Sequence, residues 1–157
     1  MTEEDKKILK ADLCARLPYG VKIKTPRGIY TVDAVSSEGL FSISNEDKTL
    51  DDLTPHDGHY WLPITGDYKP YLRPMSSMMQ GEWEEMTGLI YPYGKVNRNL
   101  DNDELSLWLS AEGNDMPIIL MDNVFAWLNK KMFDYHGLIP MGLALPAPKR
   151  MYKRKIK

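Results

Sequence analysis

The chain reads as an α+β protein: an N-terminal helix, a small antiparallel β-sheet or SH3-like barrel, then a C-terminal helical cap. Three observations predict this. Apolar residues in Thr2 to Leu17 recur at three- and four-residue steps, those from Val21 alternate with a period of two, and those beyond Met78 return to helical spacing. The change falls at Pro70-Tyr71-Leu72-Arg73-Pro74-Met75-Ser76-Ser77-Met78. Proline disfavours the α region for the residue before it, so Lys69 and Arg73 are pushed to extended backbone. Ser77 with Gln80 three residues on has the pattern of a helix start.

In the first helix Ile8, Leu9, Leu13 and Leu17 make the apolar stripe, with Ala11, Cys14 and Ala15 beside it. Thr2 is placed to cap, and Glu3, Glu4 and Asp5 favour the positive end of the helix dipole. Cys14 is read as a small buried apolar side chain rather than a nucleophile. Pro18-Tyr19-Gly20 ends the helix. Val21 and Ile23 alternate with Lys22 and Lys24, Thr25-Pro26-Arg27-Gly28 supplies a turn, and Ile29 to Val35 forms the second arm of a hairpin. A third strand points Phe41 and Ile43 one way and Leu40, Ser42 and Ser44 the other. Tyr60 to Ile64 is a fourth, placed at an edge by Pro63, and Tyr71-Leu72 closes the set.

Beyond the joint, Met79, Trp83, Met86 and Ile90 form one face of a helix while Glu82, Glu84 and Glu85 face water. Tyr91 to Asn99 reads as an exposed loop. Asp101 with Glu104 reads as a second cap, followed by a helix carrying Leu105, Trp108 and Leu109 and stopped by Gly113. Two readings stand for the next segment: Asp115-Met116-Pro117 caps a third helix directly, or Ile118 to Met121 is a short strand and Asp122 the cap. Either way Val124, Phe125, Leu128 and Met132 make a helical stripe ending near Phe133. Leu138 to Leu145 is an apolar turn. Trp83, Trp108 and Trp127 are the expected core aromatics.

At 157 residues the chain is read as a single domain, 1–73 helix plus β-rich, 74–148 helical, and 149–157 a basic flexible tail. No apolar run reaches the length of a membrane helix, the charged Thr2 to Lys10 is unlike a signal peptide, and the single cysteine cannot form an internal disulfide. These features predict a cytoplasmic protein. Six of the 20 basic residues are Lys149, Arg150, Lys153, Arg154, Lys155 and Lys157. Residues 1–148 therefore carry 14 basic against 22 acidic side chains, a formal −8. Such a body repels polyanions, so contact with nucleic acid is assigned to the tail, the alternative being a solvated terminus.

No residue set compels a reaction. His56, Asp57 and His59 are the only clustered metal-type ligands, and they stand in a turn with no further ligand at recognisable spacing, so a metal-dependent enzyme there is an alternative to a polar turn. His136 has no identifiable partner. The paired carboxylates Asp51-Asp52, Glu84-Glu85 and Asp101 with Glu104 read as caps and solvated faces. Phosphate-loop and serine-elbow patterns are absent, and no cofactor is expected. Tyr60, Trp61, Tyr68 and Tyr71, near prolines and Arg73, resemble the lining of a peptide or single-strand groove, against the alternative of core packing. With Tyr91 and Tyr93 of the following loop, they are the candidate surface for a protein partner.

Three stretches carry a resemblance. Asp12-Leu13-Cys14-Ala15-Arg16-Leu17-Pro18-Tyr19-Gly20-Val21 is one, and Lys69 to Met78 another. The third is Trp127-Leu128-Asn129 with Phe133-Asp134-Tyr135-His136-Gly137-Leu138-Ile139 and Gly142-Leu143-Ala144-Leu145. They resemble a set of small uncharacterised proteins encoded by gut Bacteroidetes and their phages and prophages. The match covers the start, the joint and the C-terminal third, and leaves out Gly88 to Pro117. The resemblance implies a mobile-element setting and an intracellular protein, transfers no catalytic residue, and implies that the Lys153 to Lys157 extension is peculiar to this member. The expectation is a non-enzymatic protein-interaction module of phage or prophage type, with a nucleic-acid accessory as the alternative.

Overall fold

A computed structural model describes residues 1–44, 60–91, 94–99, 104–109 and 118–152. The chain packs as two compact units, one of residues 1–72 and 138–146, the other of residues 73–137 and 147–157.

The first unit opens with helix α1 (Glu3–Arg16). Thr2 caps it reciprocally: its Oγ1 accepts the Asp5 N–H at 3.1 Å and the Asp5 carboxylate accepts the Thr2 N–H at 2.6 Å. The buried face is Leu9, Asp12, Leu13 and Arg16. Cys14 is exposed, correcting the buried reading. At about 100° per residue it stands roughly 100° round from Leu13, off the buried stripe. The place next to the leucines belongs instead to an ion pair. The Arg16 Nε and Nη2 donate to the two Asp12 carboxylate oxygens at 2.7 Å each, with both side chains wholly buried. Leu17–Tyr19 tightens into a 3₁₀ turn, and Gly20 ends it at φ 75°, a left-handed conformation that costs glycine nothing.

Five strands follow: β1 (Lys22–Thr25), β2 (Gly28–Val35), β3 (Leu40–Ser44), β4 (Tyr60–Pro63) and β5 (Lys69–Leu72). With β8 (Leu145–Pro146) they form one sheet in the order β4-β3-β2-β1-β5-β8. All pairings are antiparallel except β5 with β8, which is parallel. The fold is α+β as the sequence predicts. Of the two expected forms of the β part, the described pairings give a sheet with β4 and β8 at its edges. Pro63 and Pro146 lie on those edge strands, where a missing N–H breaks no ladder. Val21, Ile23, Val32, Phe41 and Ile43 are buried as the alternation requires. Ser42 is also buried, although it points away from Phe41 and Ile43. The register slips between Val32 and Ala34, leaving Asp33 as the extra residue of a bulge.

The second unit holds a 3₁₀ turn (Met75–Ser77), α2 (Gln80–Gly88), a hairpin of β6 (Gly94–Asn99) and β7 (Glu104–Leu109), and α3 (Ile118–Lys130). Four expectations are corrected here. Ser77 closes the 3₁₀ turn, and α2 begins after Met79, whose N–H is accepted by the Glu82 carboxylate at 3.1 Å. Met79 is therefore at the helix mouth and 60% exposed instead of lying on the apolar face. Gly94–Asn99 is a strand, not loop, and Glu104–Leu109 is its partner, not a helix. Leu105, Trp108 and Leu109 fit helical spacing, but Leu105, Leu107 and Leu109 fit a period of two equally well. Cross-strand pairing decides between them, and that is not a local property. Asp101 lies outside the described residues. Ile118 opens α3 directly, which removes the short-strand alternative.

Met75, Met78, Met86, Ile90, Val124, Trp127, Leu128 and Phe133 form the core of this unit, with Trp83 packed against it. Phe125 is 42% exposed, correcting its place in the apolar stripe, and Trp127 is buried as expected of a core aromatic. The α3 terminus is a Schellman motif. The Phe133 N–H reaches the Leu128 carbonyl and the Met132 N–H the Asn129 carbonyl, each at 3.0 Å, and Met132 sits at φ 61°. A left-handed methionine is held there because its side chain is buried and Phe133 closes on Leu128.

Candidate functional site

A concave surface of the first unit lies at the β1–β2 turn. Thr25 shapes it: its Oγ1 accepts the Arg27 N–H and donates to the Gly28 carbonyl, each at 3.1 Å, so Pro26-Arg27 is held as a two-residue turn. Register then brings three strands together. Tyr30 opposes Ile23, Ile43 opposes Val32, and Leu62 opposes Phe41. Tyr68 enters from the turn before β5, its ring edge-on to Phe41 at 5.5 Å and 72°. Thr25, Pro26, Arg27, Tyr30, Ile43, Leu62 and Tyr68 line a cavity of about 160 Å³. A dry apolar cavity of about 150 Å³ accepts benzene, so the space suits one ring or one branched side chain. Among the described residues its lining holds two phenols, a threonine hydroxyl, a guanidinium and apolar groups, without a carboxylate, histidine or thiol. Those described groups offer no acid–base or nucleophilic pair.

The expected site residues are only partly gathered here. Tyr68 lines the cavity. Trp61 is 37% exposed and opposes Ser42, so on β4 it alternates to the side away from Leu62. Tyr71 is half-buried in β5 opposite Leu145. Tyr60 opposes Ile43 in register. Tyr91 is 77% exposed in the second unit. Tyr93, His56, Asp57, His59, Lys153, Arg154, Lys155 and Lys157 lie outside the described residues. Lys149 and Arg150 are exposed. Among the described residues no group of three His, Cys, Asp or Glu side chains is placed to hold a metal. Among them, too, no helix is long and apolar enough to cross a membrane. Tyr30, Leu62 and Arg27 were not legible as site residues, because their convergence depends on strand register. The one local signal was the Pro26-Arg27 turn.

Arg73 belongs to a different constellation, within the second unit. Its guanidinium forks onto Glu82 with two 2.8 Å bonds, donates to the Ser77 carbonyl at 3.3 Å, and lies 4.1 Å over the Phe133 ring. The backbone is tied as well: the Arg73 N–H donates to the Met132 carbonyl at 2.7 Å and its carbonyl accepts the Asp134 N–H at 2.8 Å. The guanidinium is thus engaged in holding the chain at the joint. Its hydrogen bonds are the main cause of a Glu82 carboxyl held below the ordinary carboxylate range, against the opposing effect of partial burial. A carboxyl depressed in the folded state stabilises above its unfolded pKa, and that contribution is lost as pH falls through the folded value. Arg73→Ala is expected to cost about 1.5–3 kcal/mol, the range for charge-assisted hydrogen bonds. It should also flatten the acid limb of a stability–pH profile below the usual glutamate pKa. An unchanged acid limb in urea titrations would refute the pairing.

Comparison with protein-family models, curated proteins and solved structures finds no match for the chain.

Proposed function

We propose that the protein is an interaction module whose first unit takes up a ring-bearing side chain, proline above all, from an extended segment of a protein partner. The observation that carries this reading is the ring-sized cavity between Tyr30 and Tyr68. Aromatic-lined grooves read polyproline-type segments because such segments lose little entropy on binding and present a stiff, apolar ring. Arg27 at the exposed rim adds a fixed positive charge, which favours a carboxylate next to the inserted residue. The resemblance to proteins of gut Bacteroidetes and their phages makes a host or phage protein the proposed partner.

The test is a titration of isotope-labelled protein with a polyproline peptide and with the same peptide carrying flanking glutamates. Saturable amide shifts are expected at Tyr30, Leu62 and Tyr68. Arg27→Ala, on an exposed turn, should weaken only the glutamate-flanked peptide, by about tenfold or less for one partly screened contact. Tyr68→Ala should abolish both, while Tyr68→Phe keeps the packing on Phe41 and most of the affinity. Shifts absent at millimolar peptide, or confined to other strands, would overturn the reading.

A further inference from the structure

The opposite face of the same sheet has another character. Alternation that buries Ile23 turns Lys22 and Lys24 outward on β1, and pairing sets Ile29 and Thr31 beside them on β2. On β5, Lys69 directly opposes Lys24, and Tyr71 stands on the same face two residues further. Two like charges directly opposite across an antiparallel pair destabilise it. Neither ammonium is relieved: among the described residues no ion pair or hydrogen bond engages the side chain of Lys24 or Lys69. Lys22, whose Nζ donates to Thr31 Oγ1 at 3.3 Å, adds a third charge. Ile29 is 50% exposed beside Lys24. The outward rows of β1 and β5 hold no carboxylate; Asp33, at the β2 bulge, lies beyond the Lys22 end.

We infer that this outer face of β1, β2 and β5 binds the backbone of a single-stranded nucleic acid. Opposed positions are about 4.5–5.5 Å apart at Cα, so Lys24 and Lys69 straddle one phosphate. Lys22, roughly 6.7 Å along the strand, meets the next. An anion between the opposed pair removes their repulsion and satisfies both ammonium groups. Ile29 and Tyr71 flank the charges with apolar surface for the bases. Lysines act as point charges suited to phosphate, whereas a carboxylate-rich peptide is better matched by arginine forks, which these rows lack. The site is separate from the Tyr30–Tyr68 cavity, which opens on the other side of the strands, and from the C-terminal basic residues.

Fluorescence anisotropy of labelled oligo(dT) with the full chain tests the inference. Two neutralised phosphates predict a slope of log affinity against log salt of about −1.4, a fall of about sevenfold between about 50 and 200 mM. K69E places opposite charges across from each other, so it should melt no lower than the parent yet bind at least about tenfold more weakly, with a slope nearer −0.7. K24E/K69E should show no binding, and K149A/R150A should bind as the parent does. No signal at about 100 µM protein, parent-like binding by a folded K69E, or equal competition by a polyglutamate peptide would each overturn it.

Discussion

Asp12→Ala is expected to destabilise the first unit by about 3–5 kcal/mol, because it leaves the Arg16 guanidinium charged in a site from which both partners are fully excluded from water. The expectation separates a buried pair from the exposed pairs on the same helix. Lys6 with Glu3 and Lys7 with Glu4 are also spaced along α1, yet their side chains are largely solvated, and breaking either should leave the unfolding midpoint essentially unchanged. Replacing both buried partners by apolar residues of similar volume, Asp12→Leu with Arg16→Met, is expected to be neutral or stabilising by about 1–4 kcal/mol, since both desolvation penalties then disappear. Urea unfolding followed by circular dichroism, with hydrogen exchange of α1 and β2 amides as the local readout, distinguishes these cases. An Asp12→Ala loss below about 1 kcal/mol would show that water reaches the pair.

In the second unit the largest effect is expected from Phe133→Ala, about 3–5 kcal/mol. Phe133 is fully buried and stacked on Trp127 at 5.8 Å and 17°, and the Arg73 guanidinium lies 4.1 Å over its ring. Truncation therefore removes core packing, an aromatic pair and a cation–π contact, and leaves the Schellman turn without the apolar closure that holds Met132 left-handed. Phe133→Leu should cost much less, as it keeps most of the volume. A double-mutant cycle with Arg73→Ala should return about 0.5–2 kcal/mol of coupling. Tryptophan fluorescence of Trp83 and Trp127 reports the unfolding directly. Additive losses, with no coupling, would mean that the guanidinium does not rest on the ring in solution.

Local pattern was sufficient wherever one period had no rival. The capped α1, the Val21–Ile23 alternation, the edge position of the Pro63 strand and the return of Tyr71-Leu72 to the sheet all follow from side-chain spacing and the missing proline N–H. It failed where two periods competed, as in Leu105 to Leu109, and where a polar residue displaced an apolar one, as Asp12 and Arg16 did beside Leu13. For Cys14 the angle around the helix, not apolar character, decides its side, and it is exposed. Of the candidate site, Tyr68 was legible from its aromatic, proline-rich neighbourhood. Tyr30, Leu62 and Arg27 were not, since Leu62 lies 32 residues beyond Tyr30 and 35 beyond Arg27, and only strand register brings them together.

The composition and rhythm of the chain settled that it is an α+β protein with an N-terminal helix, short antiparallel strands and a change of regime at Pro70, because those properties arise from neighbours three or four residues apart. Which residues face one another was decided only by pairing across the sheet. Lys24 meets Lys69, Leu62 meets Phe41, and the strand at Leu145 joins β5 far along the chain. A ring-sized cavity and a basic face are both consequences of that long-range register, in which a slip of one residue would turn every side chain to the other face of its strand, whereas burial of the Asp12–Arg16 pair was decided by the packing of α1.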